Sequence, residues 1–222
     1  MKVALTGGIA CGKSLLSKFL NELGVETLDA DDVVHTLLPD PEERRRIAAE
    51  VFADPEKRRA LEAKIHPLVK EKIDTWLSLS QDGFNAETQR RREAESLSGS
   101  VAQPQLSKRG PSAPLRLCAK KTGIKIAIIP LLFEAHWEKN FDIICCVVSS
   151  RETQVERMTA TRGMTRAEAE ARLAAQLPVE EKAKRSHYVI HNDGTAEELK
   201  VQAAAFLKFV MQKQMQPKLP ND

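Results

Sequence analysis

A glycine-rich stretch near the start of the chain, TGGIACGKS at positions 6–14, contains residue types that can bind phosphate. Gly7 and Gly12-Lys13-Ser14 satisfy the pattern G-x-x-x-x-G-K-[ST]. In such a loop the backbone N–H groups point into one concavity, the lysine reaches the β and γ phosphates, and the hydroxyl ligates Mg²⁺. The alternative is an ordinary glycine-rich turn. Because an apolar run precedes the stretch and a helical pattern follows it, the sequence predicts a loop that holds a nucleoside triphosphate, ATP.

A second group of reactive side chains, Asp29-Ala30-Asp31-Asp32, follows another apolar run at Val25–Leu28. We expect these acids to lie beside the glycine loop, where a carboxylate can orient an attacking hydroxyl group and accept its proton. The alternative is that Asp31 or Asp32 caps the following helix. His35 is either part of this acceptor site or an ordinary exposed helix residue.

The elements that must position these residues alternate between strands and helices. The predicted strands are Lys2–Thr6, Val25–Leu28, Lys125–Ile129, Ile143–Ser149 and Tyr188–His191. The third and fourth are almost continuously apolar, as in a parallel sheet with helices on both faces. The first helix, Ser14–Leu23, has Gly24 placed to end it. The core is therefore predicted to be α/β.

Helix start signals divide the rest of the chain. Asp40-Pro41 and Asp54-Pro55 combine an N-cap residue with proline at the first helical position, so residues 33–77 are predicted to be helical. Pro67 is expected to kink or divide a helix there. Two T-x-x-E patterns, Thr165–Glu168 and Thr195–Glu198, predict capping boxes at the start of later helices.

Residues 78–121 have no sustained hydrophobic period and are rich in Ser, Gln, Pro and Arg. They carry eight basic and four acidic residues, a local net charge of +4. We interpret them as a basic, disordered insertion. Either the insertion is a solvated linker or it contacts nucleic acid, and the first interpretation is preferred.

Composition restricts the remaining possibilities. The net charge of +3 over 222 residues is too balanced to favour a nucleic-acid or membrane surface. The four cysteines lack C-x-x-C spacing, so neither a disulfide framework nor a zinc site is expected. No signal peptide or stretch of about 20 apolar residues is present. We expect a cytoplasmic protein that is a monomer or a weak oligomer.

Five segments in this order resemble dephospho-CoA kinases. They are LTGGIACGKS, LDADDVVH, VFADPEKRRALEAKIHPLV, PLLFE and RMTATRGMTRAEAEARLAAQ, and the resemblance as a whole covers nearly the whole chain except residues 78–121. The resemblance implies a P-loop NTPase-type, three-layer parallel sheet with a small helical substrate-binding subdomain and a lid. It also implies ATP-dependent phosphorylation of the ribose 3′-hydroxyl of dephospho-CoA, the last step of coenzyme A synthesis, with Mg²⁺ as cofactor.

The resemblance also implies roles for individual residues. Asp31, Lys13 and Arg162 are the expected catalytic residues, and Ser14 and Asp29 the expected metal ligands. Dephospho-CoA is expected to contact Asp29, Asp31, His35 and His66. ATP is expected to contact Gly8, Ile9, Ala10, Cys11, Gly12, Lys13, Ser14, Leu15, Arg157 and Asn192. Arg157 and Arg162 are expected to neutralise phosphoryl charge from the lid; alternatively they are solvated helix charges.

In domain terms, residues 1–32 and 122–222 are predicted to form the kinase core, with a lid around 151–180, and residues 33–77 the acceptor subdomain. One position departs from the family pattern: Ile128 stands two residues before Pro130, where the family usually has Asp near the metal. This departure keeps two alternatives open. One is an ATP-binding protein with weak or lost catalysis, and the other is another nucleoside or nucleotide kinase.

Overall fold

The computed structural model describes residues 1–38, 40, 42, 46–47, 55–79 and 122–215. The predicted insertion therefore lies outside the described residues except for Ser78 and Leu79, as does most of the predicted helix after Asp40. Within the described part, Asp40 Oδ1 accepts a hydrogen bond from the Glu42 N–H at 2.9 Å, as expected for a helix cap. The second predicted cap, Asp54, is outside the described residues.

A five-stranded parallel sheet forms the centre of the molecule. Its strands are β1 (Val3–Gly7), β2 (Glu26–Asp29), β3 (Lys125–Ile128), β4 (Ile143–Val148) and β5 (Tyr188–His191), in the spatial order β2-β3-β1-β4-β5. All four pairings are parallel, so every strand ends at the same edge. The predicted strands are confirmed, with ends shifted by at most one residue. Ligands of such sheets bind at this carboxyl edge.

Seven α-helices are described. They are α1 (Lys13–Glu22), α2 (Ala30–Leu37), α3 (Pro55–Ser78), α4 (Arg151–Arg162), α5 (Arg166–Ala174), α6 (Val179–Lys184) and α7 (Ala196–Met215), with a short 3₁₀ turn at Glu138–Asn140. Both predicted capping boxes are present, at Thr165 and at Thr195. None of the described helices is both long and apolar enough to cross a membrane.

Alternate residues of the strands pack on opposite faces of the sheet. On one face Leu5 and Ile128 pack with residues of α1 and α7, such as Leu16 and Phe206. On the other face a second buried cluster joins residues of the strands, of α2 and α3, and of the turn after β3: Ala4, Ala127, Val33, Ile73 and Phe133 belong to it. Helices therefore cover both faces, and the predicted three-layer α/β fold is confirmed.

Helix α3 continues through Pro67, so of the two expected effects of this proline, division of the helix is excluded and a kink stays a prediction. Pro67 lies on the exposed side, whereas Val69, Ile73 and Leu77 are buried against the second cluster. Burial of this apolar stripe offsets the hydrogen bond that proline removes.

Candidate active site

The glycine loop between β1 and α1 packs closely against the carboxyl ends of β4 and β5. A Cβ atom on Gly7 would lie 2.3 Å from the carbonyl oxygen of Val147 in β4. Gly12 has a φ of +92°, and a Cβ there would lie 2.2 Å from Asn192 Nδ2. Both positions therefore require glycine, for the close approach and for their positive φ angles, of which that of Gly7 is +148°.

Helix α1 begins directly after this loop without a side-chain cap. Its N-cap is Gly12, and its first turn contains no acidic residue. The first N–H groups of a helix have no partner within the helix, and they carry the positive end of its dipole. The loop and the start of α1 can therefore bind an anion such as phosphate. Leu15 in this first turn is partly exposed, whereas Cys11 is fully buried and its thiol pKa is raised by burial.

Lys13 folds back over the loop in which it lies. Its Nζ donates hydrogen bonds to the carbonyl oxygens of Gly7 at 3.0 Å and Gly8 at 2.8 Å. Burial lowers the pKa of Lys13, and the nearby Lys182 lowers it further, while Asp29 opposes the shift. An anion placed in the loop would relieve this unfavourable burial of positive charge.

Asp29 ends β2 and caps the next helix, α2. Its Oδ1 accepts a hydrogen bond from the Asp31 N–H at 2.9 Å. Burial raises the pKa of Asp29, as do the carboxylates of Asp31 and Asp32, whereas the Asp31 N–H and Lys13 lower it. The helix-cap alternative thus applies to Asp29, and not to Asp31 or Asp32, which are exposed in the first turn of α2.

Strand β3 lies between β2 and the loop strand β1, so the two groups of reactive residues are not on adjacent strands. Ile128 in β3 is in register with Asp29 on one side and with Leu5 on the other. Its side chain is buried in the apolar cluster beside α1. Asp29 and Lys13 nevertheless interact electrostatically across the end of β3, since each shifts the pKa of the other.

The two histidines predicted at the acceptor site have different surroundings. His35 is exposed on α2, four residues after Asp31. His66 on α3 is half-buried, and its ring meets the edge of Trp137 with the ring centroids 5.5 Å apart. Helices α2 and α3 pack against each other, so both residues belong to the same side of the sheet.

The Arg157 side chain hydrogen-bonds to the glycine loop and to the residues that follow β4 and β5. Its guanidinium donates to the carbonyl oxygens of Asn192 at 2.8 Å and Ala10 at 3.3 Å, and to Ser149 Oγ at 3.1 Å. The buried Asn192 side chain donates to the Cys11 carbonyl at 2.9 Å. Together these contacts tie the loop to the residues that follow β4 and β5. Ala10 needs such support, since its φ of +59° is uncommon for a residue with a Cβ atom.

Arg162, in contrast, is exposed in the last turn of α4, just before Gly163. Among the described residues its side chain has no hydrogen-bond or ion-pair partner. The following helix, α5, is joined to α4 through Arg166, which contacts Glu152 and Glu170 at 3.1 Å each. The resemblance implies that Arg157 and Arg162 belong to the same lid, but the structure gives them different environments.

Two buried polar residues near the loop, Lys182 and Gln154, are absent from the predicted site residues. Lys182 on α6 is completely buried and pairs with Glu134 Oε1 at 2.7 Å. Gln154 on α4 donates to the Ser149 carbonyl at 2.8 Å, and its Oε1 lies close to Gly8. No local pattern marks these residues, because Lys182 bonds to Pro130, 52 positions away, and Gln154 lies close to Gly8, which is distant in sequence.

Within the described part of the chain, no cluster of three or more His, Cys, Asp or Glu residues could hold a metal ion. Ser14 is exposed at the start of α1, and its hydroxyl makes no hydrogen bond to the described residues. Mg²⁺ in kinases usually takes one or two protein oxygen ligands and completes its shell with phosphate oxygens and water. The donor set of Ser14 and Asp29 fits that pattern.

Comparisons of the sequence and of the structure with known proteins match this chain to kinases. The family model described as dephospho-CoA kinase matches residues 1–43 and 91–198. The dephospho-CoA kinase of Synechococcus sp. (strain JA-3-3Ab) is 34% identical over 223 residues, covering 90% of this chain and 88% of the relative. The crystal structure of TT1252 from Thermus thermophilus matches with a TM-score of 0.60 at 30% identity, covering 95% of this chain and 97% of that one. Dephospho-CoA kinase from Campylobacter jejuni has the same fold, with a TM-score of 0.57 at 20% identity and coverage of 97% and 100%.

Proposed function

The chain belongs to the dephospho-CoA kinase family, and we propose how its described residues divide the work of the kinase reaction. The reaction is the ATP-dependent phosphorylation of the ribose 3′-hydroxyl of dephospho-CoA, which gives coenzyme A and ADP and completes coenzyme A biosynthesis. One observation carries the residue assignment. The junction between the glycine loop and α1, which has no side-chain cap, lies at the same edge of the sheet as the carboxylates at the end of β2.

We assign ATP to the loop and to the start of α1. Its phosphates replace the carbonyl oxygens of Gly7 and Gly8 as partners of the Lys13 ammonium. The N–H groups at the start of α1 bind phosphate oxygens. No side chain caps this helix start, so these N–H groups are available to the phosphates. Arg157 and Asn192 keep the loop in the required conformation through the carbonyls of Ala10 and Cys11.

We assign dephospho-CoA to the side of α2 and α3, with its 3′-hydroxyl near Asp31. Asp31 acts as general base and accepts the hydroxyl proton while the oxygen attacks the γ-phosphorus. Asp29 supports this role, since its carboxylate holds the Asp31 backbone and thereby the start of α2. His35 and His66 are then placed to contact the acceptor rather than the phosphates.

Arg162 is assigned to the transferring phosphoryl group. Its exposed position between α4 and α5 leaves the guanidinium available to approach the nucleotide when the predicted lid closes. Arginine in this role neutralises negative charge that develops in the transition state. Domain closure itself and the lid boundaries, 151–180, remain predictions.

Mg²⁺, when bound, supplies further neutralisation of the phosphate charge, and Ser14 and Asp29 are the residues that would hold it. Ile128 cannot contribute a ligand from the end of β3, because it is apolar and buried. Ile128 should therefore weaken the metal site but not abolish it, because the hydroxyl of Ser14 and the carboxylate of Asp29 are both retained.

The acceptor assignment is tested by measuring ADP release with Mg²⁺-ATP and a set of acceptors. Dephospho-CoA should give rapid release of ADP. Coenzyme A is the matched control, because it differs only in carrying phosphate on the 3′-hydroxyl, and it should give none. Equal release with both compounds would contradict the assignment of the 3′-hydroxyl as acceptor, and rapid release with adenosine or AMP alone would favour another nucleoside or nucleotide kinase.

A further inference from the structure

Lys182 places a fully buried positive charge near the glycine loop, in addition to the partly buried charge of Lys13. Its side chain is fully buried, and Nζ lies 2.7 Å from Glu134 Oε1 and 3.0 Å from the Pro130 carbonyl oxygen. The hydroxyl of Thr6, the residue before the first loop glycine, donates to the same carbonyl at 3.3 Å. The ammonium is thus separated from the start of the loop by one shared acceptor, the oxygen of Pro130.

Glu134 holds Lys182 in this position from the opposite side. Its Oε1 also accepts a hydrogen bond from the Leu177 N–H at 3.1 Å, in the connection between α5 and α6. The side chain of Glu134 is 25% exposed, whereas that of Lys182 is 0% exposed. The negative member of the pair is therefore nearer to solvent, and the positive member is the more buried one.

This arrangement is unfavourable for stability alone. Among the described residues, Glu134 Oε2 is buried and accepts no hydrogen bond. A buried ion pair seldom stabilises a protein more than apolar residues of similar volume would, and an unsatisfied buried acceptor carries a further cost. Lys182 also lies close enough to Lys13 for the two like charges to oppose each other. A buried and a partly buried cation beside an anion-binding loop become favourable once a polyanion occupies the loop.

We propose that Lys182 is a positioning residue for ATP: its buried charge, fixed by Glu134, strengthens triphosphate binding in the loop together with Lys13. The proposal rests on the assignment of ATP to this loop. Lys182 does not contact the phosphates in this account. It acts through its electrostatic potential and through the Pro130 carbonyl that it shares with Thr6.

The test compares stability with ATP affinity in a variant in which the pair is made neutral. In Glu134→Gln/Lys182→Met both charges are removed together, so neither partner is left as an isolated buried charge. Thr6 still donates to the Pro130 carbonyl. The matched control is Lys184→Met, which removes an exposed lysine from the same helix. Thermal unfolding and calorimetric titration with Mg²⁺-ATP, without acceptor, are measured for all three proteins.

We expect the neutral pair to unfold within a few degrees of the parent and to bind ATP about tenfold more weakly, a loss of about 1.4 kcal/mol. Lys184→Met should bind ATP as the parent does. A neutral pair with parental stability and parental ATP affinity would overturn the proposal. If it fails to fold, Glu134→Gln/Lys182→Gln replaces it, since the two amides can still hydrogen-bond. Failure of both to fold would also overturn the proposal, because the pair would then serve stability. A parent that binds no ATP would instead refute the assignment of the loop.

Discussion

Replacing Arg157 and Arg162 in turn by methionine should separate two functions that share one side-chain type. The Arg157 guanidinium makes hydrogen bonds of 2.8, 3.1 and 3.3 Å to three different segments of the chain. Methionine keeps an unbranched apolar stem like that of arginine, but it lacks the guanidinium and so loses all three hydrogen bonds. Arg162 has no partner among the described residues, so its replacement removes a charge without removing a described contact.

The expected loss for Arg157→Met follows from the geometry. Hydrogen bonds that involve a charged group each contribute about 1.5–3 kcal/mol, and here two are of good length and one is long. Because Asn192 O keeps the Ser149 hydroxyl as a donor at 2.7 Å, part of the network survives. We therefore expect a loss of roughly 2–4 kcal/mol, which lowers the Tm of a chain of this size by about 5–15 °C.

The effect on function should also differ between the two variants. Ala10, whose carbonyl Arg157 binds, has a left-handed backbone conformation that is strained for a residue other than glycine. Without Arg157 the empty loop can relax, so the KM for ATP should rise while kcat at saturating ATP changes little. Arg162→Met should leave the Tm unchanged and lower kcat by roughly 10²-fold, as expected for loss of a charge-stabilising donor.

The assay is thermal unfolding combined with steady-state kinetics at varied ATP. The reasoning is refuted if Arg157→Met has the parental Tm and a reduced kcat, since Arg157 would then act on the transferring group. It is equally refuted if Arg162→Met is destabilised by more than about 1 kcal/mol, because that side chain would then make contacts that its exposed position does not provide.

Three further predictions concern the carboxylates and the loop lysine. Asp31→Asn should lower kcat by about 10²- to 10⁴-fold with ATP binding preserved. The control is Asp32→Asn, a change at the exposed neighbouring residue, which should change kcat less than twofold. Equal effects of the two substitutions in steady-state assays would contradict the assignment of Asp31 as the base. Asp29→Asn should keep its stability in thermal unfolding, because Asn caps helices as well as Asp does, but should need more Mg²⁺ for half-maximal activity; an unchanged requirement would exclude Asp29 from the metal site. Burial lowers the pKa of Lys13, so ATP binding should weaken as the pH rises through a value below the usual lysine range, and ATP binding should be accompanied by proton uptake in that pH range. Proton uptake is measured by calorimetric titration in buffers of different ionisation enthalpy. Absence of uptake would contradict the prediction.

The sequence predicted those features that depend on local patterns. The glycine loop, the five strands and the capping boxes at Thr165 and Thr195 each have a short signature, and each was found where it was predicted. Gly24 ends α1 as expected, with a φ of +85°. These elements need only neighbouring residues to specify them, so a single sequence is sufficient to find them.

The arrangement of the site depended on contacts that no local pattern records. The placement of β3 between β2 and β1 is a property of the sheet as a whole, and it sets Ile128 between the loop and the carboxylates. Arg157 and Lys182 occur in helices with many other charges, and only tertiary packing distinguishes them from solvated residues. Their hydrogen bonds reach residues 147 and 52 positions away, Ala10 and Pro130 respectively.

The most direct test of the central claim is transfer of labelled phosphate from γ-labelled ATP to dephospho-CoA, with the product identified by mass and by the position of the label. The account predicts stoichiometric ADP and coenzyme A labelled on the 3′-oxygen, and it predicts that Lys13→Ala abolishes transfer while the fold is kept. Label on any other oxygen, or transfer at the parental rate by the folded Lys13→Ala variant, would contradict it.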